Sequence, residues 1–273
     1  MIQNKNQKLV EILKNFKNEK GKIVVMTGAG ISAESGIPTF RGEDGYWKIG
    51  SKNYTPETIA TFETFQIAPL SVWKWYFQRM SMCKNAKPNE AHDSLVLLEN
   101  FFEERFGLIT QNIDGLHFQA GSSREKTFTI HGTFEKMRCM DLCSPEMYPI
   151  PSIELEQEFT KQVIKELTCP NCGKFLRPNI LWFDEFYNEV FYKSDSAISL
   201  VQEAKLFIVV GTSGATNLPS ILARMALEQG SLLLNIDIEE NFFSRMFLNT
   251  PNGYFLKGKS SKILPKLVDI LVK

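Results

Sequence analysis

The stretch Ile23-Val24-Val25-Met26-Thr27-Gly28-Ala29-Gly30-Ile31-Ser32-Ala33 constrains the fold more than any other. A short aliphatic run of this kind predicts a buried strand, and the spacing Gly28-x-Gly30-x-x-Ala33 after it opens a helix. Strand, glycine turn and helix in that order form the context of a dinucleotide-binding fingerprint. Gly28 admits the tight turn, and Gly30 lets backbone N–H groups approach a pyrophosphate at the helix N-terminus. Small Ala33 allows the helix to pack closely on the strand. An ordinary strand–turn–helix unit is the competing reading. The acidic residue usual about 20 positions downstream is not obvious here. Asn235 and Asp237, ending a later strand, are the better ribose candidates.

The rest of the chain alternates in the same way. Aliphatic runs at 108–110, 207–210 and 232–236 predict further buried strands, and helical periodicity fits 4–19, 70–84, 91–105, 219–229 and 262–271. The expected fold is α/β, a Rossmann-like parallel sheet with helices on both faces. Two stretches interrupt the pattern: 42–69, rich in Gly, Pro, Thr and aromatics, and 134–177, with a polar helical segment over 154–166. They predict a small domain made of two insertions. The expected division is a dinucleotide-binding body of 1–41, 85–133 and 178–273, with a smaller unit of 42–84 and 134–177.

Charge and hydropathy narrow the class. The 273 residues carry 31 basic and 31 acidic side chains. That balance argues against a general nucleic-acid binder, whose affinity rests on excess Lys and Arg. The longest purely apolar run, Leu206 to Val210, is far short of the ~20 residues that span a bilayer. The N-terminus, with Leu9, Leu13 and Phe16 on one helical face, lacks the pattern of a secretory signal and reads as an amphipathic helix. A cytoplasmic protein is expected.

Five cysteines are too few, and odd in number, for a disulfide scaffold. Cys83 stands alone and reads as a buried small hydrophobe. Cys139-x3-Cys143 and Cys169-x2-Cys172 fit a four-thiolate zinc site. The second pair, in Cys169-Pro170-Asn171-Cys172-Gly173, is knuckle-like; the first is looser, and buried free thiols are the competing reading. Four protein ligands leave no open position, so zinc here is structural.

Beyond the glycine loop come Gly36-Ile37-Pro38-Thr39-Phe40-Arg41-Gly42, Thr110-Gln111-Asn112-Ile113-Asp114-Gly115, Ile130-His131-Gly132 and Gly211-Thr212-Ser213. In this order they resemble the sirtuins, NAD-dependent protein lysine deacylases. The resemblance runs from about Val24 to Pro265. It implies cofactor contacts at Gly28, Ala29, Gly30, Ala33, Glu34, Thr39, Phe40, Arg41 and Gly211 to Ser213. It further implies a ribose contact at Gln111, a nicotinamide pocket at Asn112, Ile113 and Asp114, and an adenine-side loop at Ser260. His131 is implied as the base that activates a ribose hydroxyl, with Asn112 beside it in catalysis. His92 and His117 read as structural. Leu176 to Glu185 resembles the segment that binds the acyl-lysine peptide, with Trp182 and Phe183 walling the acyl tunnel and Asp184 and Glu185 beside the groove. Where the family has Phe-Gly-Glu this chain has Phe183-Asp184-Glu185, and the loop 214–219 departs by one residue.

Tyr76 and Arg79 stand three apart on one helical face. A phenol and a guanidinium together can grip a carboxylate. The pair resembles that of the sirtuin branch which removes succinyl and malonyl groups, so acidic acyl groups are the expected preference, with deacetylation also open. The resemblance implies release of nicotinamide and O-acyl-ADP-ribose from acyl-lysine proteins or peptides. Two other readings share these motifs: ADP-ribosyl transfer or NAD hydrolysis on the same fold, and a non-enzymatic, zinc-bearing NAD sensor.

Overall fold

The computed structural model describes residues 2–39, 56–151 and 159–273. Six strands form one parallel sheet: β1 (Lys22–Thr27), β2 (Phe106–Thr110), β3 (Thr127–Thr129), β7 (Ala204–Val210), β8 (Leu232–Asp237) and β9 (Gly253–Lys257). A second sheet is antiparallel, with β4 (Gly132–Cys139) between β5 (Met147–Pro149) and β6 (Leu176–Ile180).

The large sheet runs β3-β2-β1-β7-β8-β9. Counting only its own strands, that is the 3-2-1-4-5-6 order of a doubly wound dinucleotide fold. Chain direction reverses its progress between β1 and β7, and ligands in such sheets bind outside the strand ends at that switch point. Helices cover both faces, so the central strands read as continuous apolar runs. On one face Val25, Leu108, Ile208 and Leu234 pack against helices Ile2–Phe16, Glu90–Phe102 and Ser260–Val272. On the other, Val24, Ile109, Val209 and Leu233 meet helices Ser194–Gln202, Asn217–Glu228 and Phe242–Leu248.

The second sheet and helices Pro56–Ile59, Phe62–Ile67 and Pro69–Lys84 share another core, built on Phe65, Trp73, Met137, Leu176 and Trp182. Among the described residues no helix is long and apolar enough to cross a membrane.

Several expected boundaries shift. The helix expected over 91–105 ends at Phe102; Glu103 takes a positive φ of 46° and a 3-10 turn follows. The polar helix expected over 154–166 spans only Lys161–Glu166, started by the Thr160 side chain accepting from Val163 N, while 152–158 lie outside the described residues. Ala33 is exposed, because the single helical turn Gly30–Ala33 buries Ile31 and Ser32 instead. The packing contact expected of it is not made.

Two buried histidines brace the strand ends. His117 Nε2 and Thr27 Oγ1 are 2.9 Å apart, and Thr27 donates to Thr110 Oγ1 at 2.9 Å. His92 completes a capping box, its Nδ1 accepting from Asn89 N at 3.3 Å. Burial lowers His92 to about 4 and, with His92 alongside, His117 to about 3. Both are neutral in the fold and take up protons on unfolding below the ordinary value of about 6.5. Their contribution is therefore complete above that value and is lost as pH falls toward 4. Gln at position 92 keeps the capping box but cannot titrate. His92→Gln is expected to flatten the loss of stability between pH 6.5 and 4, read from urea midpoints across that range; an unaltered slope would show that His92 does not carry it.

Candidate active site

The loops leaving the C-terminal ends of β1, β2 and β7 meet over the switch point. Gly28 N donates to Val210 O at 3.0 Å and Gly30 N to Gly211 O at 2.8 Å. The approach is close enough to exclude side chains: a Cβ on Gly30 would lie 2.6 Å from Gly211 Cα. Gly211 itself has φ of +59°, the left-handed region that favours glycine. The glycines are thus needed by loop-on-loop packing, which uses the N–H groups of Gly28, Gly30 and Gly211, and the result is a close-packed turn at a helix start.

Asn112 and Asp114 are tied to that turn through one hydroxyl. Asn112 Nδ2 donates to Gly28 O (3.1 Å) and Ser32 Oγ (3.2 Å), and Ser32 Oγ donates to Asp114 Oδ2 (2.8 Å). Asp114 Oδ1 accepts from Leu116 N at 2.9 Å, and burial raises its pKa against those two bonds. Ser32 was not singled out from the sequence; its only signal is a buried polar side chain inside the glycine loop. Gln111 turns the other way. Its Nε2 donates to Thr212 Oγ1 at 3.0 Å, and its Oε1 accepts from Thr216 Oγ1 at 3.3 Å.

His131 stands at the junction of the two sheets, one residue before β4. Its Nδ1 lies 3.1 Å from Gln111 O and its Nε2 lies 2.9 Å from Tyr187 Oη. A carbonyl can only accept, so Nδ1 carries the proton and Nε2 keeps its lone pair. Burial pushes the imidazole down to about 4, against the Gln111 bond, so it is neutral at physiological pH.

A cavity of about 50 Å³ opens beside Asn112 and Asp114. Its walls join Ala29, Asn112 and Asp114 to Tyr76 and Arg79 of the helix Pro69–Lys84. Arg79 is buried and stacks its guanidinium on Trp75, 3.2 Å from the ring centroid. Tyr76 Oη accepts from Trp182 Nε1 at 2.7 Å, which leaves its own O–H free in direction to donate. Cys83, expected as buried filler, is half-buried and lines the same cavity.

Other expected positions serve different ends. The Asp184 carboxylate turns from the groove to the start of helix Phe62–Ile67, accepting from Phe62 N (2.8 Å) and Glu63 N (3.1 Å). A helix N-terminus favours that negative charge. Glu185 binds the buried Arg177 guanidinium through both oxygens and accepts from Trp182 N at 3.0 Å. Trp182 is buried, whereas Phe183 is 54% exposed. Glu34 accepts from Ser261 N (3.2 Å) and Ser261 Oγ (2.7 Å), tying the glycine loop to the last helix. Asn235 is fully buried with its Nδ2 on Asn241 Oδ1 (2.9 Å), and Asp237 accepts from Asn241 Nδ2 (2.9 Å). Asn235 Oδ1 and Ser260 Oγ are buried without a partner at the ends of β8 and β9. A close-packed glycine turn flanked by unsatisfied polar atoms fits a dinucleotide. Thr39 is half-buried at the rim of the described segment, Ser213 is exposed beyond Thr212, and Phe40 and Arg41 lie outside the described residues.

The four paired cysteines converge. Their sulfurs lie within 4.8 Å of one another, with Cys139–Cys172 and Cys143–Cys169 both 3.5 Å apart. A tetrahedral zinc with Zn–S of about 2.3 Å needs edges of about 3.8 Å, so the donor set fits. Register places them: Cys139 ends β4 opposite Leu176, and the knuckle closes through Cys169 N donating to Lys174 O at 2.7 Å.

Residues 28–217 match the Sir2 family model. The chain belongs to the Sir2 family. An NAD-dependent protein deacylase of Leptospira interrogans is 39% identical over 264 residues, covering 94% of this chain and 96% of that protein. One of Caldanaerobacter subterraneus is 42% identical over 238 residues, covering 86% and 90%. Among solved structures, a Sir2 homolog–NAD complex superposes with a TM-score of 0.77 at 34% identity, covering 96% of this chain and 93% of that one. A Sir2–p53 peptide–NAD+ structure gives 0.72 at 27%, covering 93% and 95%.

The cysteine geometry predicts one zinc per chain by elemental analysis. Cys169→Ser should lower that ratio well below one and destabilise the fold, since structural zinc contributes folding free energy directly; full zinc retention would refute the four-thiolate site.

Proposed function

We propose that this chain removes acyl groups from protein lysines with NAD as co-substrate, and prefers dicarboxylic groups of the succinyl or malonyl type to acetyl. As a Sir2-family member it is an NAD-dependent protein deacylase; the acyl preference is the finer part of the reading. One observation carries that part: the cavity bounded by Asn112 and Asp114 is closed on its far side by Tyr76 and the buried Arg79. A guanidinium held in an apolar wall is a strong, directional partner for a carboxylate, and a phenol adds one donor. Trp182 orients that phenol, and the Arg177–Glu185 pair orients Trp182.

In this reading the close-packed glycine turn at Gly28 to Gly30 and Gly211 lets the pyrophosphate approach the main chain, with Ala29, Ala33, Glu34, Thr39, Phe40, Arg41, Thr212 and Ser213 around it. Asn235, Asp237 and Ser260 lie toward the adenosine half, and Gln111 toward the other ribose. NAD supplies the electrophilic ribose carbon that takes the acyl oxygen as nicotinamide leaves. Asn112 and Asp114, fixed by Ser32, hold the nicotinamide side. His131, neutral and with Nε2 bare, takes a proton from the ribose hydroxyl. Trp182 and Phe183 flank the acyl-lysine, and Asp184 and Glu185 act by fixing the segment behind it. The body of 1–41, 85–133 and 178–273 carries the cofactor, and the unit of 42–84 and 134–177 carries the acyl end. The core shared by the second sheet and helix Pro69–Lys84 supports a separate unit there, with Ile180 and Trp182 of the body joining that core.

Two variants test this. His131→Ala should lower deacylation by about 10²- to 10⁴-fold while NAD binding is retained, as expected for loss of a general base. Full activity in that variant would remove His131 from the mechanism. Arg79→Met should cut the succinyl-over-acetyl ratio of kcat/KM by about 10- to 100-fold, the worth of a charged hydrogen bond. An unchanged ratio, measured by mass spectrometry on matched peptides, would refute the acyl pocket.

A further inference from the structure

We infer that Tyr187 is a positioning residue: its phenol caps the base nitrogen of His131 in the resting protein and is exchanged for a ribose hydroxyl when the dinucleotide binds. The inference rests on the proposed role of His131, and it is carried by geometry that the proposed mechanism does not use.

The direction of each hydrogen bond is fixed. Because Nδ1–H donates to Gln111 O, Nε2 can only accept, and the hydroxyl 2.9 Å from it, Tyr187 Oη, must donate. Burial raises the phenol to about 12, so the donor proton stays in place. Nδ1 is tied to the backbone behind the ring. Any hydroxyl that gives its proton to His131 must therefore come to Nε2, where Tyr187 Oη already sits. One lone pair cannot serve two donors at full strength.

Thr216 lies close to the phenol, and its own hydroxyl donates to Gln111 Oε1 at 3.3 Å. Thr216 belongs to the 214–219 loop, where the sequence departs from the family order. Tyr187 comes from the opposite loop, after Asp184. The two loops thus approach each other beside Gln111 and the imidazole. The ring of Tyr187 packs against the core beneath the large sheet, and the next residue, Asn188, caps helix Glu189–Tyr192 by accepting from Phe191 N at 2.9 Å. The backbone is anchored, so exchange needs a side-chain rotation or a small shift, and loss of the hydroxyl alone leaves the packing in place.

Binding is the direct readout. Tyr187→Phe should bind ADP-ribose, which carries the relevant ribose, about 3- to 10-fold more tightly, the worth of one neutral hydrogen bond no longer displaced. ADP, which lacks that ribose, should bind both proteins alike. The His131 Nε2 resonance in ¹⁵N spectra of the ligand-free protein should move in Tyr187→Phe. Equal or weaker ADP-ribose binding in Tyr187→Phe, an equal gain for ADP, or an unmoved Nε2 resonance would each overturn the cap. None of these readouts needs turnover, so absence of deacylation in the wild-type protein would overturn the proposed function and leave the cap standing on its own evidence.

Discussion

Everything at this site depends on two backbones approaching where no side chain fits. The turn after β7 lies against the turn after β1, with Gly30 and Gly211 in contact and Gly30 N bonded to Gly211 O at 2.8 Å. That approach closes the sheet at its switch point and brings the loops after β1, β2 and β7 to one crevice, with the N–H groups of Gly28, Gly30 and Gly211 already donated within the fold. Asn112, Asp114 and Gln111 then need only short reaches to be fixed on Ser32, Gly28 and Thr212. The site is positioned by main chain first and by side chains second.

The Tyr76 end of the cavity is ordered by a different device, a partly buried ion pair. Arg177, almost wholly buried, binds Glu185 and lies 3.5 Å from the Trp182 ring centroid; Trp182 in turn holds Tyr76. Removing one partner of such a pair leaves an uncompensated charge, which is why its geometry is constraining even where its net stabilisation is small. The Asp184 carboxylate completes the segment by capping a helix across the chain.

What the sequence made legible was local or periodic. The four central strands, the glycine turn and the cysteine spacing each follow from neighbours in the chain. β4 and β6 were not legible, because Glu135, Lys136, Arg138, Arg177 and Asn179 give them the composition of a loop. Arg138, Arg177 and Asn179 are nonetheless buried, satisfied by partners such as Arg138 Nε donating to Asn179 Oδ1 at 3.2 Å. β9 is a short edge strand with little pattern. Asp184 read as a groove charge because its partners, Phe62 N and Glu63 N, are more than a hundred residues away. Tyr187 carried no signal at all, since its role is set by an imidazole 56 residues earlier. Ala33 misled for another reason: the motif fixes spacing, while a one-turn helix decides which side faces the sheet.

Strand β4 begins at the residue after His131 and ends at Cys139. The imidazole and the first sulfur of the cysteine cluster thus stand at the two ends of one strand, whose pairing with β6 is irregular between Gly132 and Met137. A cluster that offers no open coordination position still sets where that strand ends. Cysteines and imidazole therefore hang on one continuous length of main chain, and the small sheet borders the crevice as well as the sulfur cluster.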